Sequence, residues 1–122
     1  MALLKTVTTD AGFKVKFWKV EELRIDRSNA RVNIMVAPWV SKAAYQKGKP
    51  FVKTAAKTIR VVDLEYPKGS GFESKLDYTE WFSPEALEGK EIYAQAYDYL
   101  KTVPFFSGAV DDIDGVEESD DE

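Results

Sequence analysis

Residues 25–36 read "IDRSNARVNIMV", and the pairing this stretch permits decides the fold. A two-residue turn at Ser28-Asn29 sets Arg27 opposite Ala30, Ile25 opposite Val32 and Leu23 opposite Ile34. Those four aliphatic residues then share one face, which is the condition a half-buried register must meet. Asn29 tolerates the left-handed backbone of such a turn, although Ser-Asn is a weaker signal than Asn-Gly. The expectation is a β-hairpin turning at 28–29.

Working outward, "FKVKF" (13–17) sets Phe13, Val15 and Phe17 against Lys14 and Lys16, the alternation of a half-buried strand. The alternation slips over Trp18–Val20 and resumes at Leu23 and Ile25, which predicts a β-bulge near Glu21–Glu22. On the other side of the hairpin, Pro38 interrupts the return strand. The following "SKAAYQKGKP" (41–50) reads either as one helical turn ending at Gly48 or as a wide loop. Residues 51–66, "FVKTAAKTIRVVDLEY", are β-branched and aromatic enough for a third long strand. Residues 67–75, "PKGSGFESK", have the composition of a mobile loop.

The period then changes. In "WFSPEALEG" (81–89), Ser83 is a natural N-cap, Pro84 suits the first helical position and Glu85 lies in the positive first turn. Gly89 would end that short helix. "KEIYAQAYDYLKTV" (90–103) places Ile92, Ala96, Tyr99 and Val103 at helical spacing, and Pro104 stops the run. Strands first and helix last imply an α+β fold, an antiparallel sheet or small β-sandwich packed by a C-terminal helix. Phe105 and Phe106 are expected to fold back and close its core.

The 122 residues suit one domain, and 44% hydrophobic residues with seven Phe, six Tyr and three Trp supply a core. Cysteine and histidine are both absent, which excludes disulfides, thiolate zinc, cysteine nucleophiles and the side chain that titrates near neutrality. No apolar run approaches a membrane span, and "MALLKTVTTD" lacks the charged start and long apolar centre of a signal peptide. A soluble chain kept in a cytoplasm, with no membrane partner, is the default.

The net charge of −4 is unevenly spread. Residues 111–122 hold eight of the 21 acidic groups and no basic ones, so 1–110 carries 13 acidic against 17 basic residues, a net of +4. The expected organisation is a single domain over 1–110 and a flexible acidic tail over 111–122, too charged to bury apolar surface.

No nucleophile elbow, phosphate loop, zinc spacing or dinucleotide fingerprint is present, so no catalytic residue and no cofactor is expected. "KGSG" (68–71) is too short to cradle a phosphate, and Asp63, Glu65, Asp77 and Glu80 read as solvated carboxylates. Asp112, Asp114 and Gly115 brush against a calcium-loop pattern, but Val110 and Asp121 stand at its first and twelfth positions, and no metal site is expected. Lys42, Lys47, Lys49, Lys53 and Lys57, with Tyr45 and Phe51, could line a phosphate-tracking groove. The acidic tail would compete for that surface, so nucleic acid is not the expected partner. Trp18, Trp39 and Trp81 read as core residues or as interface anchors. Asp111, Asp112 and Asp114 could meet a basic partner, mask the lysines or simply solubilise the chain.

The stretch "YTEWFSPEALEGKEIYAQAYDYLKTVPFFSGAVDD" (78–112) resembles the closing segment of small, mostly uncharacterised proteins of tailed bacteriophages, encoded close to tail and tail-fibre genes. Ser83, Pro84, Glu85, Ala86 and Leu87 correspond to their opening motif. Ala96, Tyr97, Tyr99, Leu100, Lys101 and Thr102, then Pro104, Phe106, Gly108 and Ala109, correspond to the close. With the upstream hairpin and "SKAAYQKGKPF", the similarity extends over 13–112; the acidic extension beyond departs from it. The resemblance implies a tail-region protein, either a minor tail-tip component or a tail-assembly factor, in the virion or the host cytoplasm. Its partners would be other phage tail or assembly proteins. It also implies a fold like the β-rich shoulder domain of siphophage receptor-binding proteins. The alternative is a host-directed protein that contacts nucleic acid or a host factor through residues 42–57.

Overall fold

In the computed structural model, which describes residues 2–112, the hairpin joins the two longest strands of one antiparallel sheet. The strands are β1 (Ala2–Thr8), β2 (Lys14–Asp26), β3 (Arg31–Trp39), β4 (Lys57–Leu64), β5 (Lys75–Leu76) and β6 (Val110–Asp112). Their order across the sheet is β5-β4-β3-β2-β1-β6. Three helices accompany them: α1 (Lys42–Gln46), α2 (Asp77–Trp81) and α3 (Ile92–Leu100), with 3-10 turns at Lys53–Ala55 and Pro104–Phe106. The fold is α+β, with a single open sheet and no second sheet stacked on it among the described residues.

The hairpin register is the expected one, Leu23 opposite Ile34 and Ile25 opposite Val32. Its turn differs in detail. The left-handed residue is Ala30, at φ 49°, and not Asn29. Asn29 instead donates its backbone N–H and its side-chain amide to the Asp26 carboxylate, at 3.3 and 2.6 Å. Those bonds, the amide's first, hold the Asp26 carboxyl below its usual range.

The bulge also lies where the alternation slips: Val20 faces Val36, Glu22 faces Met35, and Glu21 is the extra residue. Without it, Val20 and Leu23 would point to opposite sides of the sheet, because side chains alternate along a strand. With it, Trp18, Val20, Leu23 and Ile25 all pack into one core with Val32, Ile34 and Val36. Helix α3 covers that face through Ala96, Tyr97, Tyr99 and Leu100. Its Tyr97 hydroxyl accepts the backbone N–H of Val20 at 2.8 Å, directly beside the bulge. Phe106 folds back as expected, fully buried, and both it and Phe105 meet the Trp18 ring edge-on at 5.3 and 5.5 Å.

The opposite face carries a smaller cluster. Phe17, Ala37 and Trp39 lie under the α1 segment, with Tyr45 5.0 Å and Phe51 5.6 Å from the Trp39 ring. Ser41 caps α1 by accepting from Ala44 N–H, so the 41–50 stretch takes the helical alternative, and Gly48 follows it at φ 75°.

Several expectations need correcting. Val15 packs on the α3 side and Phe17 in the second cluster, while Phe13 precedes β2 and is exposed. Val15 and Phe17 thus belong to different clusters, and Phe13 to neither. The third strand covers only Lys57–Leu64, since residues 53–55 wind into a 3-10 turn. Residues 83–89 form successive turns and no helix; Ser83 Oγ still accepts from Ala86 N–H, and Gly89 closes the segment at φ 74°. Finally, Asp111 and Asp112, assigned above to the tail, belong to β6, which pairs with β1. Of the expected acidic tail, 113–122 lies outside the described residues.

Burial pushes the Tyr97 hydroxyl up to about 12; burial, then the neighbouring Asp77 carboxylate, does the same for Tyr99. The unfolded chain therefore gives up these protons first, at about 10, and stability falls as pH rises from about 10 to about 12. Tyr97→Phe orphans the Val20 N–H and should cost about 1–3 kcal/mol, lowering Tm by roughly 5 °C or more at neutral pH. Thermal unfolding of both proteins between pH 7 and 12 checks this, with a shallower alkaline decline expected for the variant.

Candidate functional site

The residues that the sequence offers for partner contact are distributed over the whole fold. Trp18 is fully buried, its indole N–H donating to the Lys5 carbonyl at 2.9 Å. Trp39 is 6% exposed, and its indole N–H holds the loop after α1 by donating to the Lys49 carbonyl at 2.8 Å. Both tryptophans are core residues and present almost no surface to a partner. Trp81 is half-buried, edge-on to Tyr99 at 5.4 Å.

The lysines of 42–57 do not converge. Lys42 lies against Asp112, whereas the Lys57 ammonium sits 4.9 Å from the Phe105 ring on the α3 side of the sheet. Lys47, Lys49 and Lys53 are exposed between them. The groove expected for a phosphate backbone is therefore split by the sheet itself.

Asp111 and Asp112 are adjacent in β6 and so project to opposite faces. Each meets a lysine there. Asp111 pairs with Lys101 of the α3 C-cap at 2.9 Å, and Asp112 pairs with Lys42 of α1 at 3.1 Å. The Asp111 carboxylate is the main reason the Lys101 ammonium is raised above its usual value. The two bridges clasp the last strand from both sides. Asp114, the remaining acidic candidate, lies outside the described residues.

The other carboxylates hold local structure. Asp63 accepts from the Thr79 N–H and hydroxyl at 3.0 and 2.6 Å, fastening α2 to β4, and Asp77 accepts the Tyr99 hydroxyl at 3.1 Å. Contrary to the solvated reading, Asp77 and Glu80 do line a cleft, of about 480 Å³, beside Arg60, Lys75 and Tyr99. Tyr99 is a neutral donor there at physiological pH, since its hydroxyl titrates near 12. Among the described residues, no group of three or more carboxylates is arranged to hold a metal ion. Nor is any helix of the described residues long and apolar enough to cross a membrane.

A surface missed in the sequence lies at the β4–β5 hairpin tip. Residues 65–74 are a loop tied by three hydrogen bonds: Ser70 N–H to the Pro67 carbonyl, Tyr66 N–H to Ser74 Oγ, and Phe72 N–H to Ser70 Oγ. Gly69 and Gly71 both sit at φ 84°, a conformation that side-chain-bearing residues avoid. This path returns the Phe72 ring to within 5.2 Å of Tyr66. The pair does not enter the core: Phe72 is 70% exposed, Tyr66 42%, and neighbouring Leu64 46%. Phe72 inside the Pro/Gly/Ser-rich 67–75 loop, one short turn from Tyr66 at the end of the expected strand, was the available signal, masked by the loop's overall composition.

No family model, curated protein or solved structure matches the chain.

The clasp yields a contrast. The Lys42 and Asp112 side chains are 13% and 7% exposed, whereas Lys101 and Asp111 are 32% and 49% exposed. Asp112→Asn should cost on the order of 3 kcal/mol, because it removes the carboxylate from a largely buried ion pair. Asp111→Asn should cost under about 1 kcal/mol, as solvated pairs do. Denaturant unfolding of the two variants, each against the parent chain, measures both.

Proposed function

We propose that this chain is a non-enzymatic structural or assembly protein of a bacteriophage tail region, acting through protein–protein contacts. The sequence resemblance over 78–112 supports that reading, and the geometry adds a means. The observation that carries it is the aromatic pair Tyr66 and Phe72, held out in solvent by a hydrogen-bonded hairpin tip. Exposed aromatics cost a monomer solubility and return nothing to its core. At an interface they supply large contact area with only two torsions to freeze. Leu64 extends the apolar patch along the same hairpin. The site would serve as a knob entering a recess on a neighbouring tail or assembly protein, with α3 and the sheet as its rigid mount.

Mass spectrometry of purified virions tests the structural version, and co-purification with the products of adjacent tail genes tests the assembly version. Replacing both rings, Tyr66→Ser with Phe72→Ser, should leave Tm nearly unchanged, since neither contributes to the buried clusters. Affinity for the tail partner should fall by about 30-fold or more, the loss typical of an interface hot spot. Unaltered affinity, or absence from both virions and tail complexes, contradicts the proposal.

A further inference from the structure

The sheet is left unfinished along one margin. Strand β4 pairs with β3 from Lys57 to Val62, but its other side carries β5 only at Asp63 and Leu64. After Leu76 the chain leaves that lane for α2. Among the described residues, no strand lies beside 57–62 on that side. Successive residues of an antiparallel ladder turn their N–H and C=O to alternate sides, so about half of these six present theirs outward. Such a margin is a template for one further strand. The opposite margin differs: β6 covers Ala2–Leu4, and the Lys5 ammonium donates to the Ser107 carbonyl just beyond. Beside the β4 margin lies instead the cleft of about 480 Å³, whose lining includes the consecutive residues Ile59 and Arg60 with Asp77, Glu80 and Tyr99.

Length and register decide which strand fits. The incoming strand must be short, because β5 blocks the lane at Asp63. Strand β4 itself meets that limit, since the 3-10 turn at Lys53–Ala55 ends its extended run just before Lys57. Two copies of β4 paired antiparallel about a two-fold axis set one residue opposite itself. With Arg60 at the axis, like charges would meet. With Ile59 at the axis, Lys57 faces Val61 and Thr58 faces Arg60, and no like charges meet. That register also brings Lys57 of the second copy to the α3 side of the sheet, where Asp77 and Glu80 line the cleft. The axis repeats this complementarity on both copies.

We propose that the chain dimerises by antiparallel pairing of β4 with β4 of a second copy, Ile59 opposite Ile59, joining the two sheets into one. The inference is independent of the tail reading. It sets the two Tyr66–Phe72 tips at opposite ends of the paired strands, because each tip follows the C-terminal end of its own β4.

The chain contains no cysteine, so single substitutions report the register. Directly opposed residues of an antiparallel pair lie about 4.5–5.5 Å apart at Cα, within disulfide reach, and residues two positions offset lie beyond it. Under mild oxidation Ile59→Cys should therefore form a disulfide dimer, whereas Thr58→Cys, more exposed but offset from its own copy, should not. Sedimentation equilibrium of the full chain from micromolar to millimolar concentration should show reversible monomer–dimer exchange. Thr58→Arg, set against Arg60, should weaken the dimer about fivefold or more, and Thr58→Glu should tighten it by a similar factor. Thr58 is exposed, so both variants should keep the Tm of the parent chain at low concentration. A chain that stays monomeric, cross-linking of Thr58→Cys as fast as Ile59→Cys, or equal dissociation constants for the Arg and Glu variants overturns the proposal. Loss of the dimer on replacing Tyr66 and Phe72 by Ser overturns it too, by assigning association to the aromatic tip.

Discussion

The hydrogen bond from Val20 N–H to the Tyr97 hydroxyl joins residues 77 positions apart, and the architecture is organised around it. Strand β2 has apolar residues at 18 and 20 and again at 23 and 25, a pattern out of phase with the two-residue repeat of a strand. One extra residue repairs the phase, and Glu21 is that residue. A bulge disrupts the ladder where it occurs, and a buried N–H left without an acceptor is costly. Tyr97 supplies the acceptor from α3. The residue that satisfies the bulge is thus also the one that sets where the helix lies on the sheet, with Ala96 and Leu100 buried beside it.

From that point the helix-side core spreads in both directions. Toward β4, Tyr99 reaches Asp77 while packing against Trp81 and Phe82, which links α3 to α2. Toward β1, the chain leaves α3, turns at Pro104 and lays Phe105 and Phe106 on Trp18. It then runs on as β6, held by a lysine on each face. The short strands β5 and β6 thereby occupy the two margins of the sheet, the positions where unpaired backbone otherwise invites association.

The features legible in the sequence are those with local periodicity: the 23–34 register, the bulge at Glu21, the α3 helix and the return of Phe106. Those that escaped depend on distant partners. Strand β1 is short and mixed in pattern, and it gains its identity only from pairing with β2 and β6. Asp111 and Asp112 read as tail because eight acids in twelve residues resemble a solvated segment, and composition carries no record of Lys42 and Lys101 waiting across the sheet. The 83–89 stretch has correct cap chemistry but only enough residues for successive turns before Gly89. The aromatic tip was hidden by the opposite error, since Tyr66 read as the end of the third strand and the Pro, Gly and Ser around Phe72 dominate the reading of the 67–75 loop.

Native-state hydrogen exchange at the Val20 amide tests the central claim most directly. If the Tyr97 hydroxyl is the acceptor that ties helix to sheet, Val20 exchanges only through near-global opening in the parent chain. In Tyr97→Phe its protection then drops further than that of amides in the same strand away from the bulge. Rapid Val20 exchange in the parent chain, or the same protection in both proteins, contradicts the account.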